Sequence, residues 1–326
     1  MSIMPHILHT ARYTGLPLEI LLKACPRGFI VKTLDELSQE QLIKEAANAD
    51  YFLVSGRLSI DKSVLDKAPR LKMIQRTGVG TDMLDKEEIK KRGIPVYVNA
   101  GVNARSVAEH TLMLILATLK RLPQINAQMH KGIWKKQLSG VSTNELFGKT
   151  VGIVGMGHVG RMVASMLQPF HARIIYTDIV RQSKEVEKVF NLSYCESFEA
   201  LLPLVDILTL HCPMVSENLE ALNTRTLAIM KEGSVIINTA RGKLINPDDL
   251  YEAIKSGHIR AAALDTHYEE PIKDGYKLAE LDNIILTPHI GGLSFEAFEA
   301  MMKGAMANIE AFEQGKLSEI EGKRIL

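Results

Sequence analysis

Short apolar runs and longer amphipathic stretches take turns along almost the whole of this chain. Among the first hundred residues, Tyr51 to Val54, Leu71 to Gln75 and Pro95 to Val98 are brief, apolar and rich in β-forming residues. Between them Gln39 to Ala47, Asp61 to Lys67 and Leu84 to Arg92 repeat apolar positions at helical spacing and keep polar faces. Ser38 and Gln41 have the spacing of a capping box for the first of these helices. A long helix is predicted from Asn103 to Leu122, started by Asn103 or by Ser106 with Glu109 and closed before Pro123; it reads as a connector. Beyond it come Val151 to Val154, Arg173 to Thr177, Ile207 to Leu210, Val235 to Asn238, Ala261 to Leu264 and Ile284 to Thr287, each strand-like. Strands that alternate with helices favour parallel sheets, so the pattern predicts an α/β protein with a smaller unit in front of a doubly wound one.

The turn after the first strand of the second half is Gly155-Met156-Gly157-His158-Val159-Gly160, and a helix-like run, Arg161 to Phe170, follows it. In that context the glycines form a dinucleotide fingerprint. Gly155 permits a tight turn, Gly157 lets the backbone approach a pyrophosphate, and Gly160 lets the helix pack close to the strand. The next strand ends in Asp178, where the fold places an acid to accept from ribose hydroxyls; a carboxylate there favours NAD over its 2′-phosphorylated form.

The later strands are followed by His211-Cys212-Pro213, by Thr239-Ala240-Arg241-Gly242, by Asp265, and by Pro288-His289-Ile290-Gly291-Gly292. In an open parallel sheet, ligands bind beyond the carboxyl ends of the strands, so these segments converge on the crevice of the fingerprint. Arg241 could clamp a carboxylate through its guanidinium fork, and His289 could exchange a proton near neutral pH. An acid beside the imidazole would orient it, and Glu269, Glu270 and Asp265 are the candidates. The turn Gly78-Val79-Gly80 could receive an anion on its backbone N–H groups. Taken singly, each of these residues has a plainer reading as a turn, a salt bridge or packing; Cys212 reads as packing.

Composition narrows the class. A chain of 326 residues predicts two domains, and a net charge of +1 offers nucleic acid or membrane no electrostatic attraction. The longest apolar run, Thr111 to Leu119, is far shorter than the ~18 residues of a membrane span. No leader pattern predicts export, and Cys25, Cys195 and Cys212 show no pair spacing, so a cytoplasmic location is expected and no metal site. The mixed charges of Lys86 to Arg92 and the lysines around Trp134 read as solvated faces.

The blocks RTGVGTDMLD, VNAGVNARSVAEHTLMLILA, LFGKTVGIVGMGHVGR, INTARGKLI, AALDTHYEEP and NIILTPHIGG together resemble the D-isomer-specific 2-hydroxyacid dehydrogenases, in particular their phosphoglycerate dehydrogenase-like branch. That resemblance implies two Rossmann-like or flavodoxin-like domains with parallel sheets. A discontinuous substrate domain, residues 1–102 and 293–326, would carry an inserted NAD domain, residues 103–292. It implies a homodimer that closes on NAD and exchanges hydride between nicotinamide C4 and C2 of a small 2-hydroxy or 2-keto acid. The family's catalytic trio falls on Arg241, Glu270 and His289, which selects Glu270 as the imidazole's partner. His158 and Val159 would donate to the pyrophosphate between Gly155, Gly157 and Gly160, and Asp178 would hold the ribose. Cys212, Pro213, Thr239, Ala240, Asp265 and Gly292 would also meet the cofactor, and Val79 and Gly80 the substrate carboxylate.

Some positions depart from the family. His267 and Tyr268 stand where an apolar-aromatic pair is usual. The base that would bind a substrate phosphate does not align around Ser55-Gly56-Arg57, and the chain ends at Leu326 before any regulatory domain. Glu270 counts against the formate-oxidising branch, and Val79 replaces a lysine of the phosphite-oxidising one. An alternative from another class is an NAD(H)-sensing dimeric scaffold with little turnover, which could retain the same trio; the chain shows no long polar tail or basic segment to favour it.

Overall fold

A computed structural model describes residues 4–56 and 58–326; Arg57 lies outside them. The chain divides into two compact units, Met1–Asn103 with Ser294–Leu326, and Ala104–Leu293.

In the first unit, strands β1 (His6–His9), β2 (Ile30–Thr33), β3 (Tyr51–Val54), β4 (Met73–Arg76) and β5 (Val96–Val98) pair in parallel in the order β5-β4-β3-β1-β2. The two-residue strand Lys323–Arg324 adds antiparallel to β5. Successive residues alternate between faces, as a pleated strand requires. Ile7, Tyr51, Leu53 and Met73 pack with Met301, Met302, Ala305 and Ile309 of the last helix, Phe295–Glu313, whereas Leu8, Phe52, Val54 and Ile74 pack on the opposite face. Both faces are therefore dry, which is why the central strand β3 is apolar at all four positions. β1 and β2 lie ahead of the first strand that the apolar pattern marks, because histidines and an exposed edge dilute the signal. At Ser38, half of the capping box forms: its hydroxyl accepts from Gln41 N–H, while the Gln41 side chain bonds Glu36 N–H instead.

The second unit carries β6 (Thr150–Val154), β7 (Arg173–Thr177), β8 (Leu192–Tyr194), β9 (Ile207–Leu210), β10 (Ser234–Asn238), β11 (Ile259–Leu264) and β12 (Ile284–Leu286). All neighbours are parallel, in the order β12-β11-β10-β9-β6-β7-β8. Counted from β6 this is the doubly wound order 3-2-1-4-5-6 with a seventh strand, and its reversal point lies between β6 and β9.

The helix predicted from Asn103 to Leu122 is α1 (Ala104–Leu119), and it belongs to the second unit rather than bridging into it. Ser106 with Glu109 does not start it, since the helix is already under way at Ala104. Arg121 breaks it in a left-handed conformation (φ 52°), and Pro123 lies in the first turn of α2 (Leu122–His130), followed by α3 (Lys136–Val141). Ala108, Leu114, Ile115 and Leu119 of α1 pack with Val163, Ala164 and Leu167 of α4 (His158–Leu167). Each buried leucine, isoleucine or valine among these contributes roughly 1.5–3 kcal/mol.

The polar residues of α1 tie down the loops at the carboxyl edge of the sheet. Ser106 Oγ donates to the Gly291 carbonyl at 2.7 Å, Thr111 Oγ1 lies 2.9 Å from Thr239 Oγ1, and His110 Nε2 lies 3.1 Å from Thr287 Oγ1. Asp265, at the end of β11, is 2% exposed and anchors the loop after β12. Its carboxylate accepts from Ile290 N–H (3.0 Å), Gly291 N–H (2.9 Å) and Thr287 Oγ1 (2.6 Å), and stands 3.3 Å from His110 Nε2. Burial opposes its ionisation, but the bonds from His110, Thr287, Gly291 and Ile290 outweigh it and hold the carboxyl down to about 2.

Two expectations follow. A Cβ on Gly160 would lie 2.1 Å from the Gly155 carbonyl oxygen, so Gly160→Ala should force α4 off β6. The loss should be about 2 kcal/mol or more, seen as a fall of several degrees in Tm; an unchanged Tm would refute so close an approach. Asp265 has a folded pKa below its unfolded value of about 3.9, so its stabilisation is complete above about pH 4 and drains away as pH falls towards 2. Asp265→Asn should therefore be less stable at neutral pH and lose less between pH 4 and 2; denaturant titrations with parallel acid limbs in both proteins would contradict this.

Candidate active site

The fingerprint turn is shaped by what crowds it. Gly155 has φ +94°, and a Cβ there would stand 2.7 Å from His211 C and 2.8 Å from Cys212 N, so the turn after β6 lies directly against the segment that follows β9. Gly157 differs: a Cβ on it would meet nothing within 4 Å, and as N-cap of α4 it supplies no side-chain partner to the first helical N–H groups. Those of His158, Val159 and Gly160 are thus left to receive an anion in open space, which is what a bound pyrophosphate needs. Asp178 is half-buried beyond β7. Its Oδ2 accepts from Met156 N–H at 2.5 Å and Oδ1 from Val180 N–H at 3.0 Å, so it braces the glycine turn, and each oxygen keeps a second lone pair for a ribose hydroxyl. These residues fit a dinucleotide laid across the reversal point of the sheet.

Cys212 and Pro213 follow β9. Burial, helped by the Asp178 charge, pushes the Cys212 thiol up to about 11, so it stays protonated and packs rather than reacts. His211 before it is held neutral, its pKa pushed down to about 3 by burial, with Nε2 2.9 Å from Thr209 Oγ1.

Further along the edge, β10, β11 and β12 are adjacent and each contributes one arm. After β10, the buried Asn238 side chain accepts from Ala240 N–H (3.0 Å) and donates to the Arg241 carbonyl (2.8 Å), which shapes the turn of Thr239, Ala240 and Arg241. Arg241 is half-buried, and its Nη1 donates to the Ala240 carbonyl at 2.8 Å. A Cβ on Gly242 would lie 2.0 Å from the His267 carbonyl, so the arginine turn rests directly on the loop after β11. That loop presents Glu270, whose Oε1 accepts from His267 N–H at 3.0 Å. After β12 comes His289, at φ 59°, a left-handed conformation costly for a non-glycine residue and characteristic of sites held by their surroundings. Its Nδ1 lies 2.8 Å from Glu270 Oε2, with the histidine side chain 43% exposed and the glutamate 19%.

Of the three acids weighed for the imidazole, Glu270 is the one that meets it. Glu269 is exposed and pairs with Lys273 at 2.7 Å, and Asp265 is spent on the loop backbone. Gly292 sits half-buried just past that anchored loop. His267 is buried, with Nε2 2.9 Å from the Thr287 carbonyl, and so serves as a strut between two loops. Val79 and Gly80 belong to the first unit, in the turn after β4; Asn99 N–H donates to the Gly78 carbonyl and its amide to that of Thr77, both at 3.3 Å. Asn238, His110, Thr111 and Thr287 escaped the sequence reading. Ser106, His110 and Thr111, at i, i+4 and i+5 in an otherwise apolar helix, carried a usable signal.

Comparison with known proteins gives the family of this chain. The sequence model described as "D-isomer specific 2-hydroxyacid dehydrogenase, NAD binding domain" matches residues 112–291. A D-3-phosphoglycerate dehydrogenase of Methanocaldococcus jannaschii is 36% identical over 290 residues, 89% of this chain and 54% of that protein, so the chain spans about half its length. A glyoxylate reductase of Pyrococcus furiosus is 34% identical over 86% of this chain and 84% of its own. The crystal structure of D-lactate dehydrogenase from Aquifex aeolicus, complexed with NAD and lactic acid, superposes with a TM-score of 0.84 at 28% identity, covering 98% of each chain. Identity at that level along most of both chains exceeds what shared topology requires, and the chain belongs to the D-isomer-specific 2-hydroxyacid dehydrogenase family, with an NAD-binding domain.

Proposed function

We propose that this protein interconverts a small D-2-hydroxy acid and its 2-keto acid. The observation that carries the reading is the 2.8 Å contact between His289 Nδ1 and Glu270 Oε2 at the open edge of the sheet. NAD, when bound, supplies the two-electron acceptor or donor that exchanges hydride with the substrate carbon. Glu270 accepts from Nδ1 and fixes the ring's orientation, so Nε2 is the atom that gives a proton to a carbonyl oxygen or takes one from a hydroxyl. Because Glu270 Oε1 is itself held by His267 N–H, the carboxylate cannot turn away from the ring without losing a second bond. Arg241, whose turn is set by Asn238 and Gly242, offers a permanent cation to the substrate carboxylate. Glyoxylate, hydroxypyruvate and phosphohydroxypyruvate head the candidate substrates, given the relatives' names.

The homodimer follows the same reading. α2 and α3 bury none of their residues, and Met129, Trp134, Leu138, Val141 and Phe147 are exposed, Trp134 by 75%. An apolar surface of that extent suits a second copy better than the solvated face suggested by its lysines.

Initial rates of NADH and NADPH oxidation should be measured with those three acids, pyruvate and bulkier 2-keto acids. The expected result is turnover on at least one, faster with NADH because Asp178 repels a 2′-phosphate. His289→Asn should lower kcat by about 10²–10⁴ while NADH affinity stays near wild type. Equal turnover in the variant would dismiss His289 as the acid/base, and NADH binding without turnover on any acid would dismiss the reaction. Light scattering after size exclusion should give twice the chain mass, and Trp134→Glu with Leu138→Glu should give the single mass; a wild-type monomer would rule the interface out.

A further inference from the structure

The amino-terminal edge of the second unit's sheet holds an unbalanced group of positive charges that the reaction does not use. A cavity of about 200 Å³ is lined by Arg121, Arg260, Thr118 and Gln124, with Ala261 and Ile285 among its apolar walls. No ion pair joins a carboxylate to either arginine among the described residues. Arg260 is half-buried; burial first, and then the charge of Arg121, draws its pKa below the ordinary guanidinium value, so the two cations feel each other. The hydroxyl of Thr118, 6% exposed, and the Gln124 amide oxygen are buried without hydrogen-bond partners. Arg260 also lines an adjoining hollow of about 160 Å³ with Lys149, Lys231, Asp206, Glu232 and Ser234. There Asp206 pairs with Lys231 at 3.2 Å, while the Ser234 hydroxyl, 1% exposed, is again unpartnered.

The half-buried Arg260 guanidinium, with a second guanidinium at the mouth of the cavity and a partnerless buried hydroxyl beside it, is costly unless something answers it. We propose that this cavity binds a compact phosphate-type oxyanion, with Arg121 and Arg260 as its cationic clamp and Thr118 as a hydroxyl donor. A tetrahedral dianion matches two guanidinium charges and accepts donors from several directions, whereas a monocarboxylate presents two coplanar oxygens and half the charge. The site is separate from the reacting edge: Arg260 and Asp265 are five residues apart on one strand, roughly 17 Å.

The test is thermal unfolding of the full chain, saturated with NADH to fill the pyrophosphate cradle, as inorganic phosphate replaces chloride at constant ionic strength. The expected result is a saturable rise in Tm and broadening of the phosphate ³¹P resonance. Both should be weakened at least tenfold in apparent affinity by Arg121→Gln and by Arg260→Gln, and less by Thr118→Val, with NADH affinity and KM unchanged. Arg121 is exposed, so its variant should fold even if a change at Arg260 disturbs β11. The proposal is overturned if wild type shows no saturable response, or if the variants respond as wild type does. It is overturned too if the arginine variants alter only the oligomeric state, which would mean that a second copy's carboxylates answer the charges.

Discussion

One buried carboxylate governs the carboxyl edge of the second unit's sheet. Asp265 accepts from two backbone N–H groups and a threonine hydroxyl of the loop after β12, with His110 of α1 beside it. Such a group is tolerated inside a protein only when its oxygens are satisfied, and these are. The loop it holds carries His289 in a left-handed backbone conformation, and Asp265 bonds residues on both sides of it. With Ser106 on the Gly291 carbonyl and His267 on that of Thr287, it keeps the loop where the imidazole meets Glu270.

The same edge shows how burial sorts chemically similar side chains. His211, His267 and His289 all follow strands of one sheet. His211 is half-buried and kept neutral, His267 is buried with a carbonyl on one nitrogen, and of the three only His289 combines exposure with a carboxylate partner. The acid/base role proposed for His289 needs access to substrate and a partner that orients the ring; the other two lack one or both. Arg121 and Arg260 at the opposite edge repeat the reasoning with cations, where the missing partner points outward to a ligand.

The glycines divide in a comparable way. Gly155, Gly160 and Gly242 are demanded by the protein itself, since a methyl group at any of them would collide with backbone. Gly157 is demanded by nothing within the chain, because the space before it is open.

Much of this was legible in the chain. The doubly wound alternation, the fingerprint and the polar residues after each strand depend on local spacing, and spacing is a property of sequence because the periods of helix and strand are fixed by backbone geometry. Arg241, Glu270 and His289 could be named on resemblance alone. What the tertiary structure decided was which groups are dry and which meet: that Asp265 holds a loop while Glu270 takes the imidazole, that His267 is a strut, that Asp178 braces the glycine turn, and that two arginines far from the fingerprint share a cavity. Burial and pairing arise between segments distant along the chain, and no local pattern encodes the solvent that folding removes.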